Sequence, residues 1–203
     1  MIAGASSTQP AINVTVMIAA SVALNTFARR GYHETSMNDV ADAAGVTKPV
    51  LYQHFESKRE LYQALLDDVG ARMVATITEA TGGVTTGREQ TERGFAAYFR
   101  WVAENRDAFV MLFGGASRQD QEFAAAVRKV TAEAATAIAP LIDAGIDPEY
   151  QLTLAHAIVG LSEGASRRLV ERGGDFDPDE VAGQLSAFAW AGLRGIHQPV
   201  ATS

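Results

Sequence analysis

Apolar residues along this 203-residue chain recur at three- and four-residue steps almost throughout, and nowhere do they alternate in short runs bounded by turn residues. A period near 3.6 places such side chains on one face of a helix, whereas a half-buried strand needs a period of two. The expected fold is therefore all-α. Turn and cap residues then divide the first third. A helix is expected from about Ile12 to Arg30, with Val16, Ala20, Ala23, Leu24 and Phe27 inward and Gly31 ending it. In "TSMNDVADAAG", Ser36 suits an N-cap with Asp39 three residues on, and Gly45 suits a helix terminus. Thr47 is expected to cap a very short third helix, with Pro49 tolerated in its first turn because its missing N–H has no helical partner there. Ser57 and Glu60 have the spacing of a capping box that restarts the chain as a long fourth helix through Leu61, Leu65, Val69 and Met73.

Charge narrows the partner classes. The net charge is −7, yet residues 1–62 carry five basic and five acidic residues, so the whole excess lies in residues 63–203. A neutral head with local lysines on an acidic body is compatible with a polyanion that meets only the head. The absence of cysteine excludes a disulfide scaffold, a thiol nucleophile and a Cys-ligated zinc site, and fits a reducing cytoplasm. "INVTVMIAASVAL", residues 12–24, lacks a preceding basic region and is interrupted by Asn13, Thr15 and Ser21, so a buried helix is expected rather than a signal or membrane span.

Two short helices joined by a Gly-containing turn and supported by a preceding helix make a helix-turn-helix. Its second element lies in "TKPVLYQHFESKREL", residues 47–61, which holds two of the three lysines of the chain. In helical phase Leu51 and Phe55 point inward, leaving Lys48 with Tyr52, Pro49 with Gln53, and Val50 with His54 as outward pairs. Gln can bond adenine bidentately, Pro and Val can touch a thymine methyl, and Lys, Tyr and His can reach phosphates or guanine.

Residues 27–66, "FARRGYHETSMNDVADAAGVTKPVLYQHFESKRELYQALL", resemble the DNA-binding domain of TetR-family transcriptional regulators: the aromatic-Gly end of the first helix, the Ala-Gly-Val turn, and L-Y-x-H-F followed by S-K. The resemblance implies Thr35 or Ser36, Thr47, Lys48, Tyr52, His54 and Lys58 near phosphates, with Pro49, Val50 and Gln53 nearest the bases. Many members of that family carry an arginine-rich arm before the first helix. Here no residue before Arg29 is charged, which implies either that the arm contributes little or that phosphate contacts are fewer and the dependence on salt shallower than is usual for the family. "KPVLYQHF" and "FAWAGL" bear a weaker resemblance to actinobacterial members that sense long-chain acyl-CoA and control fatty-acid synthesis.

The remainder, residues 63–203, is expected to be a larger helical domain for ligand binding and dimerisation, with "TGGVTTG" as a loop near its start. Phe95, Tyr98, Phe99 and Val102 form a helical stripe, followed by the aromatic-rich "RDAFVMLFGG". Such stripes usually make core. The resemblance, however, implies a ligand pocket between these helices, for which Phe95, Phe99, Phe109 and Phe113 are the candidate apolar walls and His156 and Glu163 the candidate polar groups. "DPEY" at 147 and "DPDE" at 177 read as an Asp N-cap with Pro in the first position.

Between them "GLSEG", residues 160–164, fits both the G-x-S-x-G of a hydrolase nucleophile elbow and the G-x-x-x-G of close helix packing. The elbow needs a strand before Ser162, and the flanking residues have helical spacing. Gly160 and Gly164, with Ala191 and Gly195 on the last helix, are therefore assigned to a two-fold interface in which two helices of each subunit form a four-helix bundle. Glu163 and Arg167 are placed for an i to i+4 pair, and no spacing suggests a metal or other cofactor.

The function these features support is a homodimeric, ligand-responsive, sequence-specific regulator, a repressor released from a palindromic DNA operator by a small apolar effector, with an acyl-type molecule as the candidate and the fourth helix as the lever. The alternatives are a helical interaction module without DNA binding and a hydrolase using Ser162.

Overall fold

The computed structural model describes residues 14–115, 120–142 and 145–196, with side chains described from residue 19 onward. Residues 1–13, where a DNA-tracking arm and the start of the first helix would fall, and the side chain of Val16 lie outside the described residues. No strand occurs among the described residues, and the fold is all-α. The chain divides into two compact units, Met1–Tyr62 and Gln63–Ser203.

The first unit contains helices α1 (Val14–Arg30), α2 (Met37–Ala44) and α3 (Lys48–Tyr52), together with the opening of α4 (Lys58–Thr81). Ala19, Ala23, Leu24 and Phe27 of α1 are buried, while Ala20 is half-buried, so the inward stripe is turned slightly from the expected one. Phe27 stacks edge-on against Tyr62 at 5.1 Å and lies 6.2 Å from Tyr32, giving the unit an aromatic centre. Gly31 takes φ +82 at the exit of α1, a left-handed conformation that favours glycine. At the entry to α2 the Ser36 side chain accepts from the Asp39 N–H while the Asp39 carboxylate accepts from the Ser36 N–H. At its exit Gly45, at φ +65, donates to Asp42 O and Val46 donates to Ala41 O, a Schellman closure that fixes the turn into α3.

Thr47 takes extended geometry before α3 but makes no side-chain cap bond. The capping box expected at Ser57 is only half formed. Ser57 accepts from the Glu60 N–H at 3.1 Å, whereas the Glu60 carboxylate takes the N–H of Glu56, one residue earlier, at 2.5 Å.

The second unit comprises the rest of α4 and helices α5 (Gly87–Glu104), α6 (Arg106–Phe113), α7 (Gln121–Ile138), a 3₁₀ turn (Ala139–Leu141), α8 (Pro148–Arg172) and α9 (Pro178–Leu193). Asp147 and Asp177 cap α8 and α9 as their D-P signals indicate, accepting from Tyr150 N–H and from the N–H groups of Asp179 and Glu180. Helix α9 lies along α5, tied by Arg100 to Asp179 at 2.7 Å, and α7 lies along α8. Gly70 lets α4 approach α7, since a Cβ there would collide with the Val130 side chain. Phe99, Val102, Leu112, Phe123 and Val130 are buried in this unit, and Ala135, Ala139, Ile142, Ile146 and Ala155 make a second cluster over which Leu193 and Ile196 pack.

Among the described residues no helix is long and apolar enough to cross a membrane, and no group of three or more His, Asp or Glu side chains could hold a metal ion.

Candidate nucleic-acid interface and ligand cavity

In the first unit Leu51, 3% exposed, and half-buried Phe55 anchor α3. That anchoring leaves Thr47, Lys48, Pro49, Tyr52, Gln53 and His54 exposed, with Val50 half-buried beside them. Tyr52, at 44% exposure, is a large aromatic left in solvent next to Lys48, whose ammonium lies 5.7 Å from the Tyr52 ring centre. An amide, a cation and a phenol on one short helix can together supply base-edge and phosphate contacts.

Ser36 is exposed at the N-terminus of α2, and its hydroxyl lies 2.5 Å from the Asp39 carboxylate. Its hydrogen bonds, with Arg30 at 3.1 Å contributing, hold the Asp39 carboxyl below the usual carboxylate range.

Two residues of this expected interface have other work. Thr35 is 1% exposed and its hydroxyl donates to Gly31 O at 2.8 Å, so it closes the turn between α1 and α2 and does not face solvent. Lys58 is half-buried: its ammonium donates to Tyr32 O at 2.7 Å and sits 4.3 Å from the centre of the Tyr32 ring. It pins the same turn.

The second unit holds a partly open cavity of about 730 Å³, within the range of small-molecule sites. Met73 and Ile77 of α4, Phe95 and Tyr98 of α5, Phe113 of α6, Ile138 of α7, Ile158 and Glu163 of α8, and Trp190 of α9 all contribute to its lining. Of the six residues expected from sequence, Phe95, Phe113 and Glu163 are on the wall. Phe99 and Phe109 are not: they are 0% and 2% exposed and pack as core behind the wall. His156 is exposed on α8 and does not reach the cavity.

Sequence reasoning passed over Met73, Ile77, Tyr98 and Trp190. The i, i+4 spacing of Met73 and Ile77 was a signal for the first pair, but nothing local distinguished a wall from a core. Most polar groups along the wall are already satisfied, Gln90 by Val84 O, Gln151 by Ile142 O and Thr91 by Gly87 O. Glu163 on the wall pairs with Arg167 one turn on.

Ser162 lies inside helix α8, where its hydroxyl donates to Ile158 O at 3.0 Å. A nucleophile elbow requires a strand-to-helix turn, so the G-x-S-x-G match has none of the geometry it needs. On the same helix Gly160 and Gly164 are exposed and a Cβ at either would meet nothing within 4 Å. Ala191 and Gly195 are likewise exposed, on or just beyond α9, and Phe188 beside them is 69% exposed.

Comparison with known proteins agrees with this geometry. Residues 20–65 match the family described as bacterial regulatory proteins, tetR family, and residues 88–192 match the tetracyclin repressor-like C-terminal domain. The HTH-type transcriptional activator FasR of Mycolicibacterium smegmatis is 32% identical over 190 residues, which cover 93% of this chain and 84% of that protein. The crystal structure of a TetR-like transcriptional regulator from Rhodococcus sp. RHA1 superposes with a TM-score of 0.75 at 29% identity, covering 92% of this chain and 99% of the other. FadR from Bacillus subtilis, solved in complex with stearoyl-CoA, superposes with a TM-score of 0.76 at 16% identity over 89% of this chain and 99% of its own. Helix-turn-helix, cavity and both matched regions agree, and the chain belongs to the TetR family of bacterial transcriptional regulators.

Proposed function

We propose that this protein is a cytoplasmic homodimer that binds a palindromic operator through α3 and is released from it by an apolar, acyl-type effector held in the α4 to α9 cavity. The observation that carries this reading is the pairing of an exposed, polar α3 face in one unit with an apolar cavity of about 730 Å³ in the other. Thr47, Lys48, Tyr52, His54 and Ser36 are assigned to phosphates, and Pro49, Val50 and Gln53 to base edges. Two copies of α3 must then lie about one DNA turn apart, roughly 34–36 Å, and the two-fold contact that pairs them is assigned to α8 and α9.

Helix α4 belongs to both units, and its later residues Met73 and Ile77 line the cavity, so it is the element through which an occupied cavity acts on the reading head. An effector shifts operator affinity by its differential affinity for the two states. The acyl assignment rests on the apolar lining, the likeness to FasR and the stearoyl-CoA bound by the FadR relative.

Release from DNA is derepression where the operator overlaps a promoter, as the repressor reading requires, and loss of activation where it lies upstream, as the name of FasR suggests for that relative. No catalytic step belongs to this function: Ser162 is held by the backbone of its own helix.

The test is anisotropy titration of the full chain on duplexes from the DNA upstream of its own gene, with and without stearoyl-CoA. A salt-sensitive, sequence-selective complex that stearoyl-CoA weakens is the expected result. Equal affinity for specific and scrambled duplexes would leave a helical interaction module as the better account.

A further inference from the structure

Trp190 of α9 borders two hollows of the second unit. One is the apolar cavity described above, and the other is a partly open groove of about 680 Å³ between α5 and α9. Arg194, one turn beyond Trp190, borders both as well, and among the described residues these two are the ones common to the two walls. The Trp190 ring lies over Gly87 at the start of α5, where a Cβ would stand 3.4 Å from it. An indole ring therefore fills the space between the two helices at this point.

The walls differ in charge. The cavity wall carries Glu163, which pairs with Arg167, and Arg194. The groove carries Arg88 bonded to Glu92 at 2.9 Å, Arg100 bonded to Asp179 at 2.7 Å, and again Arg194. Three guanidinium groups against two carboxylates leave it one positive charge, in a unit that holds the whole negative excess of the chain. Arg194 supplies that surplus. It is exposed, and among the described residues its guanidinium makes no hydrogen bond or ion pair.

An open cation at the rim of an apolar space suits a ligand whose chain leaves water while its charge remains hydrated. The planar fork of arginine matches phosphate oxygens in particular. Arg88 and Arg100 each hold a carboxylate, but their side chains are more than half exposed and a guanidinium has five N–H donors, so both can join an oxyanion placed on Arg194. Phe188, assigned above to the two-fold contact, stands two residues from Trp190 and so on the opposite side of α9; Ala191 lies at the edge of the groove.

We propose that the groove is a head-group subsite in which Arg194, flanked by Arg88 and Arg100, receives a phosphate attached to the chain that fills the cavity, so that the protein selects phosphorylated acyl thioesters over neutral ones of the same length. This deepens the effector reading above and rests on the cavity holding the chain.

The test is calorimetric titration of the full-length parent, Arg194→Ala and Arg194→Lys with matched probes. S-stearoyl pantetheine and S-stearoyl phosphopantetheine differ by one phosphate; dodecanol and dodecyl phosphate differ likewise and carry no acyl group. The parent should bind the phosphorylated member of each pair roughly tenfold more tightly, and this preference should shrink as salt is raised. Arg194→Ala should remove most of the preference while leaving affinity for S-stearoyl pantetheine unchanged. Its Tm and sedimentation should match the parent, because the side chain makes no bond that the substitution breaks. Arg194→Lys should keep part of the preference, since it retains the charge and loses the fork.

Equal affinity of the parent for both members of each pair overturns the head-group subsite, and if S-stearoyl pantetheine still binds, the effector reading stands without it. A preference that survives in Arg194→Ala places the phosphate elsewhere and also overturns the proposal. So does an equal loss for both members in Arg194→Ala, which makes Arg194 a packing residue of the cavity wall, or a shift of that variant to monomer, which makes the groove part of the contact between copies. If the dodecyl pair shows an Arg194-dependent preference while no stearoyl probe binds, the subsite stands and the acyl effector is wrong. If no probe binds the parent, both readings fall.

Discussion

The ammonium of Lys58 lies 2.7 Å from the Tyr32 carbonyl, whereas that of Lys48 lies 5.7 Å from the centre of the exposed Tyr52 ring. The two lysines that look equivalent in sequence should therefore separate on substitution. Lys58→Ala removes a charge-assisted bond and should cost roughly 1–3 kcal/mol of stability in denaturant titration. Lys48→Ala should leave the denaturation midpoint unchanged and weaken binding to all duplexes alike, lowering the salt slope by about one. If Lys58→Ala instead reproduced the Lys48→Ala behaviour with full stability, its contact with Tyr32 would be incidental. The family resemblance implies Lys58 near phosphate, and its bond to Tyr32 O, 26 residues away, lies beyond any local pattern. The same limit explains the phenylalanines. Phe95 and Phe99 occupy one stripe of α5 and are both nearly buried, yet only Phe95 meets the cavity. Periodicity reports which face of a helix is apolar, and not whether packed atoms or a void lies opposite. Phe99→Ala should thus destabilise the protein by about 3–5 kcal/mol as a core truncation and leave effector affinity of the folded fraction unchanged, while Phe113→Ala should alter that affinity. Equal effects of the two on affinity would remove the distinction between wall and core.

Elements were more legible than side-chain destinations, because their boundaries are written in local chemistry. Ser36, Asp147 and Asp177 each accept the N–H bonds expected of a cap, and Gly45 adopts the left-handed conformation that ends α2. Where a boundary depended on two reciprocal bonds, as at Ser57, the spacing gave the position of α4 but not the identity of the second donor. For the outer helices, an element-scale property that local chemistry cannot supply is what covers them. Gly160 and Gly164 on α8 and Phe188 on α9 face solvent within a single chain. A large apolar ring so exposed beside small residues suits a self-complementary contact in which backbones approach closely. Gly160→Leu, Gly164→Leu and Phe188→Asp should each shift sedimentation equilibrium from dimer toward monomer, the first two by overfilling the contact and the third by burying a charge. Because no intrachain atom lies within 4 Å of a Cβ at either glycine, the leucine variants should keep the helix content of the parent. Unchanged dimers in all three would place the interface on other helices.

At the scale of the whole molecule the proposed switch is a coupling free energy between operator and effector, and such a coupling is reciprocal. Helix α4 gives it a physical route, since residues Lys58 to Tyr62 belong to the first unit while Met73, Ile77 and Thr81 line the cavity in the second. If saturating stearoyl-CoA weakens operator binding by a given factor, saturating operator must weaken stearoyl-CoA binding by the same factor, with about 5- to 150-fold expected for couplings of roughly 1–3 kcal/mol. The two factors can be measured independently, the first by anisotropy of labelled operator and the second by calorimetry of effector into free and operator-bound protein. Salt must be matched in the two experiments, because phosphate contacts alone change operator affinity steeply with ionic strength. Lys48→Ala supplies an internal control: it should lower operator affinity in the presence and absence of effector equally, so the coupling factor stays that of the parent. Tight effector binding with no change in operator affinity would show that the cavity is occupied without biasing the reading head, and α4 would then be a connector rather than a lever. A large effect on operator affinity without its reciprocal on effector affinity is thermodynamically forbidden for one linked equilibrium, and would instead point to displacement of the protein by the effector micelle.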